Sequence, residues 1–143
     1  EQAAADPVLQ DLLGLCEPGY ERKRIEQFLI ESLVLVPAGA RLIAAADPGV
    51  GEVLQRSQEL ADQGLRNQVP QTRLMVSLAR EMGAVGASSF GAGWGGSVYA
   101  LVPTDDAEDF ASQWLQAYRD REQEAEHSST IVTRPGMGAC RLL

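Results

Sequence analysis

A run of glycines between two strand-like segments is the feature of this sequence with the clearest chemical potential. The eight residues from Phe90 to Ser97 hold four of the chain's 14 glycines. Glycine takes positive φ without steric cost and lets a ligand or a second backbone approach closely. Loops of this kind often direct successive N–H groups at an anion, which is usually a phosphate. The run therefore indicates a loop associated with phosphate chemistry.

Two common phosphate patterns share these letters, and the sequence around the loop excludes both. Gly91, Gly93 and Gly96 satisfy G-x-G-x-x-G, but a dinucleotide-binding turn needs a helix to begin there. Ser97 to Val102 instead has the composition of a buried strand. The protein-kinase pattern needs a lysine on the following strand and the tripeptides His-Arg-Asp and Asp-Phe-Gly. The single lysine, Lys23, lies upstream and neither tripeptide occurs.

Composition excludes several other classes of function. The length of 143 residues corresponds to one domain. A net charge of −8 argues against a nucleic-acid surface, so we expect no nucleic-acid partner. We also expect no membrane partner, because no unbroken apolar run approaches the ~18 residues of a membrane span. Cys16, Cys140 and His127 cannot form a Cys/His zinc site, so we expect no metal in this chain.

The order of periodic patterns predicts the elements that carry the loop. Helical spacing is followed by strand-like runs on both sides of the glycines, then by one helix and a hairpin. The expected segments are helices over 20–36, 38–46, 50–65 and 70–82, strands over 84–90 and 97–102, a helix capped by Thr104 or Asp105, and a hairpin of 130–133 with 139–143. Helices followed by a β-loop-β unit predict the α+β class, an antiparallel sheet with helices on one face.

A family resemblance gives the loop a more specific interpretation. The stretch from Gly86 to Leu101 resembles the third conserved motif of the GHMP small-molecule kinases, particularly its galactokinase form. Arg56-Ser57-Gln58 lies where galactokinases carry a serine-histidine pair, and Pro70-Gln71 is similar to their Pro-Glu. The segment 133–139 is similar to their final hairpin. The resemblance covers roughly residues 20–143.

The resemblance implies a C-terminal lobe of ferredoxin-like character, formed by residues 20–143 after an irregular N-terminal segment, 1–19. The family's ATP-phosphate loop and catalytic aspartate belong to the N-terminal lobe, and their motifs are absent here. We therefore expect no catalytic residue in this chain and no activity from it alone. The intact protein is expected to be a cytoplasmic enzyme that uses ATP and Mg²⁺ to phosphorylate a sugar hydroxyl. Glutamine at positions 58 and 71, where galactokinases carry histidine and glutamate, leaves the sugar open.

The residues expected at the cleft follow from the same resemblance. The loop bordering the phosphate and substrate cleft is predicted to comprise Gly91, Ala92, Gly93, Trp94, Gly95 and Gly96, and the supporting residues are predicted to be Ser88, Ser89 and Arg134. The other interpretation of the loop is a tight connection packed against a neighbouring helix. We expect the Trp94 side chain to pack, with stacking on a ligand as the alternative. Two other functions stay open, a non-catalytic sensor of a sugar or nucleotide and a ferredoxin-like dimerisation module.

Overall fold

Six α-helices and one two-stranded antiparallel sheet make up the described part of the chain. The structure is a computed structural model that describes residues 7–15, 17–123, 125–134 and 136. The elements in chain order are α1 (Pro7–Gly14), α2 (Tyr20–Ile30), a first π turn (Glu31–Leu35), α3 (Val36–Ala44), α4 (Val50–Leu60), a second π turn (Ala61–Leu65), α5 (Pro70–Glu81), β1 (Gly86–Phe90), β2 (Ser97–Leu101), a 3₁₀ turn (Thr104–Asp106), α6 (Ala107–Arg119) and a 3₁₀ turn (Ala125–His127). The predicted α+β class is confirmed.

The first long helix is continuous, although the sequence predicts an interruption at Pro37. Proline lacks an N–H and its ring clashes with the carbonyl four residues earlier. The first π turn ends two residues before this proline, which is the second residue of α3. The wider hydrogen-bonded ring of a π turn accommodates the missing N–H and the bulk of the proline ring, so the helix continues. The helical spacing of apolar residues over 20–36 predicts that Phe28 and Val36 share a buried face. That prediction is wrong, because they are 63% and 59% exposed, whereas Gln27 is buried.

The stretch Tyr20–Ala44, which joins α2, the first π turn and α3, is a 25-residue helix. By length and composition alone it is apolar enough to cross a membrane. Core helices of soluble proteins meet the same criterion, and in this one 17% of the most apolar window is buried. The expected absence of a membrane partner therefore stays a prediction.

The sheet lies against α4 and α5, and its hydrophobic core continues to α6. β1 and β2 pair antiparallel, with Gly86 opposite Leu101 and Phe90 opposite Ser97. The buried cluster consists of Val76, Leu78, Ala79, Ala87, Trp114, Tyr118 and Ala125. The helical spacing of apolar residues in α5 and α6 predicts a core-facing stripe on each helix, and these stripes supply Leu78, Ala79, Trp114 and Tyr118. The indole Nε1–H of Trp114 donates to the carbonyl of Met75 at 3.0 Å and links the two helices.

Helix α4 approaches β1 so closely that only glycine fits at their contact. A Cβ added to Gly51 would lie 1.8 Å from the carbonyl oxygen of Val85. A Cβ on Gly86 would lie 2.9 Å from Cδ1 of Leu54. These two glycines therefore set the distance between α4 and the sheet, and with it the position of the strand that leads into the glycine loop.

The two ends of the chain differ from the sequence-based expectation. The prediction of irregular structure over 1–19 is wrong for Pro7–Gly14, which forms α1. The stretch 130–133, predicted as a strand, adopts neither helix nor strand. A short β-branched run needs a hydrogen-bonding neighbour to form a strand, and its predicted partner, 139–143, lies outside the described residues. The assignment of residues 20–143 to one domain stays a prediction.

Candidate functional site

The glycine loop of residues 91–96 connects β1 to β2 and begins directly after the pair Phe90–Ser97. Five of its six residues have positive φ: Gly91 at 84°, Gly93 at 79°, Trp94 at 65°, Gly95 at 109° and Gly96 at 97°. Glycine adopts these angles freely, whereas a tryptophan there is uncommon. The density of glycines in the sequence is therefore required by the backbone path of the loop.

Asn67 holds this loop at two points. Its backbone carbonyl accepts a hydrogen bond of 2.6 Å from the N–H of Trp94. Its side-chain Nδ2 donates to the carbonyl of Ala92 at 3.1 Å. Between the two bonds lies Gly93, where an added Cβ would be 2.4 Å from Nδ2 of Asn67. The loop and the segment before α5 thus fit together only because residue 93 has no side chain.

A series of buried amides leads from Asn67 to β1. The side chain of Gln68 donates from Nε2 to Oδ1 of Asn67 at 2.8 Å. Gln58 in turn donates from Nε2 to Oε1 of Gln68 at 3.0 Å. All three side chains are buried. We call Gln58, Gln68 and Asn67 the amide chain, which joins α4, the segment before α5 and the loop.

Ser88 and Ser89, predicted to support the cleft, both contact the amide chain. The backbone N–H of Ser89 donates to Oε1 of Gln58 at 2.8 Å, and its hydroxyl lies 3.1 Å from the same oxygen. The hydroxyl of Ser88 lies 3.0 Å from that oxygen and is buried. The structure therefore gives both serines contacts inside the domain. Their predicted part in ligand binding stays a prediction.

The outer side of the loop is open to solvent. The N–H of Trp94 is bonded to Asn67, and the other five loop amides have no protein acceptor within the described residues. The Trp94 side chain is 69% exposed, so the prediction that it packs is wrong. Unbonded amides on a positive-φ backbone can donate to an anion, and an exposed indole offers a stacking surface.

No hydrogen bond within the described residues joins the remaining predicted site residue to this arrangement. Arg134 is exposed in the irregular stretch 128–134, and within the part of the chain that is described no hydrogen bond joins its side chain to the loop. Among those residues there is also no cluster of His, Cys, Asp and Glu able to hold a metal ion. Cys16 and Cys140 lie outside them.

A second polar contact lies where the first π turn meets α4. The Ser57 hydroxyl donates to Oε1 of Glu31 at 2.8 Å, and Oε2 of Glu31 is buried without a partner in the described structure. Burial raises the pKa of Tyr99 on β2, the charge of Glu31 raises it further, and a hydrogen bond with Ser88 partly opposes the change. The surroundings of Tyr99 therefore favour its neutral phenol over the phenolate.

Sequence reasoning missed Asn67 and Gln68 as residues of the site. The stretch 67–70 was predictable as a helix break, and the second π turn does end at Leu65, with Arg66 in the left-handed conformation. Two adjacent amide residues before a helix-starting proline were the available signal. Their partners, however, lie 10 and 25 residues away, so no local pattern assigns these contacts.

Three kinds of similarity to known proteins bear on this site. A family model described as GHMP kinases C terminal matches residues 42–120. A galactokinase of Mycobacterium tuberculosis is 28% identical over 151 residues, covering 99% of this chain and 42% of the relative. A galactokinase of Mycobacterium bovis is 27% identical over 150 residues, covering 98% of the chain and 41% of the relative. The chain therefore spans about two fifths of the length of these relatives.

The fold is also similar to that of a solved enzyme. The crystal structure of a galactokinase from Lactococcus lactis, in complex with galactose, superposes with a TM-score of 0.66 and 21% sequence identity. The match covers 83% of this chain and 29% of that one. At this identity the similarity establishes the fold and leaves activity to be argued separately.

Proposed function

Because this chain belongs to the GHMP kinase family through its C-terminal domain, we propose that it is the C-terminal lobe of an ATP-dependent sugar kinase resembling galactokinase. The relatives that cover nearly the whole chain are galactokinases. They extend well beyond the part matched here, so the activity is proposed for the longer protein that contains this chain. ATP, Mg²⁺ and the sugar would reach the loop through the other lobe.

The conformation of the glycine loop is the observation that carries the proposal. Its largely positive-φ backbone lies on an exposed surface, and five of its amides have no protein acceptor among the residues that the structure describes. Phosphoryl transfer develops negative charge on the transferred group, and oriented donors stabilise that charge. We infer that residues 91–96 border the cleft and donate to the substrate or to the phosphate. The exposed indole of Trp94 would contact a ligand in the same cleft.

The substrate class follows from the relatives, and galactose is the first candidate. Gln58, however, is bonded to β1 and to Gln68 inside this domain. It is therefore occupied in a structural role. The broader proposal is that the enzyme phosphorylates a hydroxyl of galactose or of a related sugar. We also propose that it is cytoplasmic and has no nucleic-acid partner.

The test uses the complete protein that contains this chain. Release of ADP from ATP and Mg²⁺ is followed with galactose and with a panel of related sugars. Sugar-dependent ADP release supports the proposal. Saturable binding of a sugar or nucleotide without turnover would instead favour the sensor. If the protein shows no activity and no binding, the dimerisation module is the function that remains.

The contribution of the loop is tested by Gly93→Val. The added side chain collides with Asn67 and opposes the positive φ, so we expect kcat/KM to fall on the order of 10²-fold. Gly83→Val is the matched control, since Gly83 also has positive φ but lies in the turn after α5 with open space around its Cβ. The control should lose stability and keep its kinetics. A folded Gly93→Val enzyme with wild-type kinetics would make the loop merely structural.

A further inference from the structure

The amide chain has a direction, and both of its ends are fixed by backbone groups. An amide side chain can be turned end for end, which exchanges its donor and acceptor. The N–H of Ser89 can only donate, so Gln58 must present its oxygen there. Its nitrogen then points to Gln68, the nitrogen of Gln68 points to Asn67, and that of Asn67 points to the carbonyl of Ala92. That carbonyl can only accept, so every member has one allowed orientation.

The fixed orientation of each amide restrains the loop, because leaving a buried amide without a hydrogen-bond partner costs free energy. Turning Asn67 would place its Oδ1 against the carbonyl of Ala92 and leave Nε2 of Gln68 facing another nitrogen. A change at any one amide therefore disturbs the others. The side-chain bond to Ala92 and the backbone bond to Trp94 act on both sides of Gly93.

We propose that Asn67 is the positioning residue of the glycine loop, oriented by Gln68 and Gln58 from the backbone of β1. Asn67 acts on the loop and contacts no substrate itself. The inference rests on the proposed function only where it concerns catalysis. The effect on loop conformation stands independently and is measurable without substrates.

The direct measurement is ¹⁹F NMR of the complete protein labelled with 5-fluorotryptophan. Trp94→Phe identifies the Trp94 resonance, whatever the number of other tryptophans. In Asn67→Ala the bond to Ala92 is lost, so we expect the Trp94 resonance to move and sharpen toward that of a solvent-exposed flexible residue. The Trp114 resonance, which reports the core, should stay in place. Gln63→Ala, on the exposed side of the second π turn, is the matched control.

Asn67→Asp gives a second, pH-dependent test that does not rely on truncation. The introduced carboxyl can donate to the carbonyl of Ala92 when it is protonated, whereas its carboxylate form repels that carbonyl. Burial beside a carbonyl raises the pKa of the introduced carboxyl above its usual value of about 4. We expect a wild-type-like Trp94 resonance at about pH 5 and a displaced one at about pH 8. Asparagine at this position should show no such transition over the same range.

Kinetics complete the test. If the loop borders the cleft, Asn67→Ala should lower kcat about 10-fold to 100-fold with a smaller change in KM, because the loop is misplaced while the sugar site in the other lobe is intact. An unchanged Trp94 resonance in folded Asn67→Ala, together with no pH transition in Asn67→Asp, would overturn the inference. If the wild-type protein is inactive but the Trp94 resonance changes as expected in the two Asn67 variants, the proposed function alone is overturned.

Discussion

Loss of a proton from Tyr99 opposes folding, because the surroundings of this residue favour the neutral phenol. Burial is the largest cause of its raised pKa, and the charge of Glu31 adds to it. The same carboxylate is held in place by Ser57. A group whose pKa is higher in the folded state stabilises the fold below its unfolded pKa, about 10 for tyrosine, and loses that contribution as pH rises through the folded value.

Replacement of Tyr99 by phenylalanine should therefore flatten the alkaline side of the stability profile. We expect the free energy of unfolding of the wild-type protein to fall more steeply than that of Tyr99→Phe between about pH 9.5 and 11.5. Urea unfolding at a series of pH values measures the difference. Parallel profiles for the two proteins would show that Tyr99 does not titrate differently on folding.

At the scale of elements, the close contact between α4 and β1 requires glycine at positions 51 and 86. Gly51→Ala places a methyl group into the carbonyl of Val85, so α4 must move away from the sheet. We expect a loss of stability of about 3 kcal/mol or more, which is typical of a contact that cannot repack.

A matched glycine in another helix gives the opposite expectation. Gly39 lies within α3, and its added Cβ would be 3.6 Å from Cγ1 of Val53, an ordinary contact distance. Gly39→Ala should therefore raise stability by about 0.5–1 kcal/mol, the gain in helix propensity. Thermal unfolding of both variants checks the pair. Equal effects of the two substitutions would contradict the close contact at Gly51.

The end of α3 carries a strained residue that offers another stability test. Ala46 has a φ of +51°, its N–H donates to the carbonyl of Ile43, and the N–H of Asp47 donates to that of Leu42. These bonds form the Schellman motif, in which glycine usually occupies the left-handed position. We expect Ala46→Gly to stabilise the protein by about 0.5–1 kcal/mol and Ala45→Gly, in the right-handed region, to destabilise it. Chemical unfolding of the two variants measures both values.

The periodicity of apolar residues predicts a helix or strand correctly where those residues pack into the core. The stripe that includes Leu78 and Ala79 gives α5 and its buried face, and the composition of the two strands places the loop between them. The exposure of Val36 was not predictable, because this residue follows the first π turn, which changes the angle between successive side chains. The amide chain was beyond sequence reasoning as well, because its bonds from Gln58 to Gln68 and from Asn67 to Ala92 join residues 10 and 25 positions apart.

At the scale of the whole molecule, the described domain carries one side of the proposed site. The family relatives are more than twice as long as the part matched here. The glycine loop offers donors and an exposed aromatic residue, but among the residues described no group of acidic or histidine side chains is arranged to hold a metal. The family resemblance implies that metal and proton chemistry belong to the other lobe, and this assignment stays a prediction.

This division predicts the behaviour of the 143 residues expressed alone. We expect no sugar-dependent ADP release from them under conditions in which the complete protein is active. The comparison requires a circular dichroism spectrum that shows the helical content of the isolated stretch. Turnover by the folded stretch alone would place catalytic groups in this chain and contradict the proposal.

The two edges of the sheet are not equivalent. The outer edge of β1 is occupied, because the N–H of Ser89 is bonded to Gln58 and α4 lies against the strand at Gly51. Within the residues described, β2 has β1 as its one neighbour. An additional strand, from this chain or another, can therefore join only beside β2. The fold thus sets a single direction in which this sheet can grow.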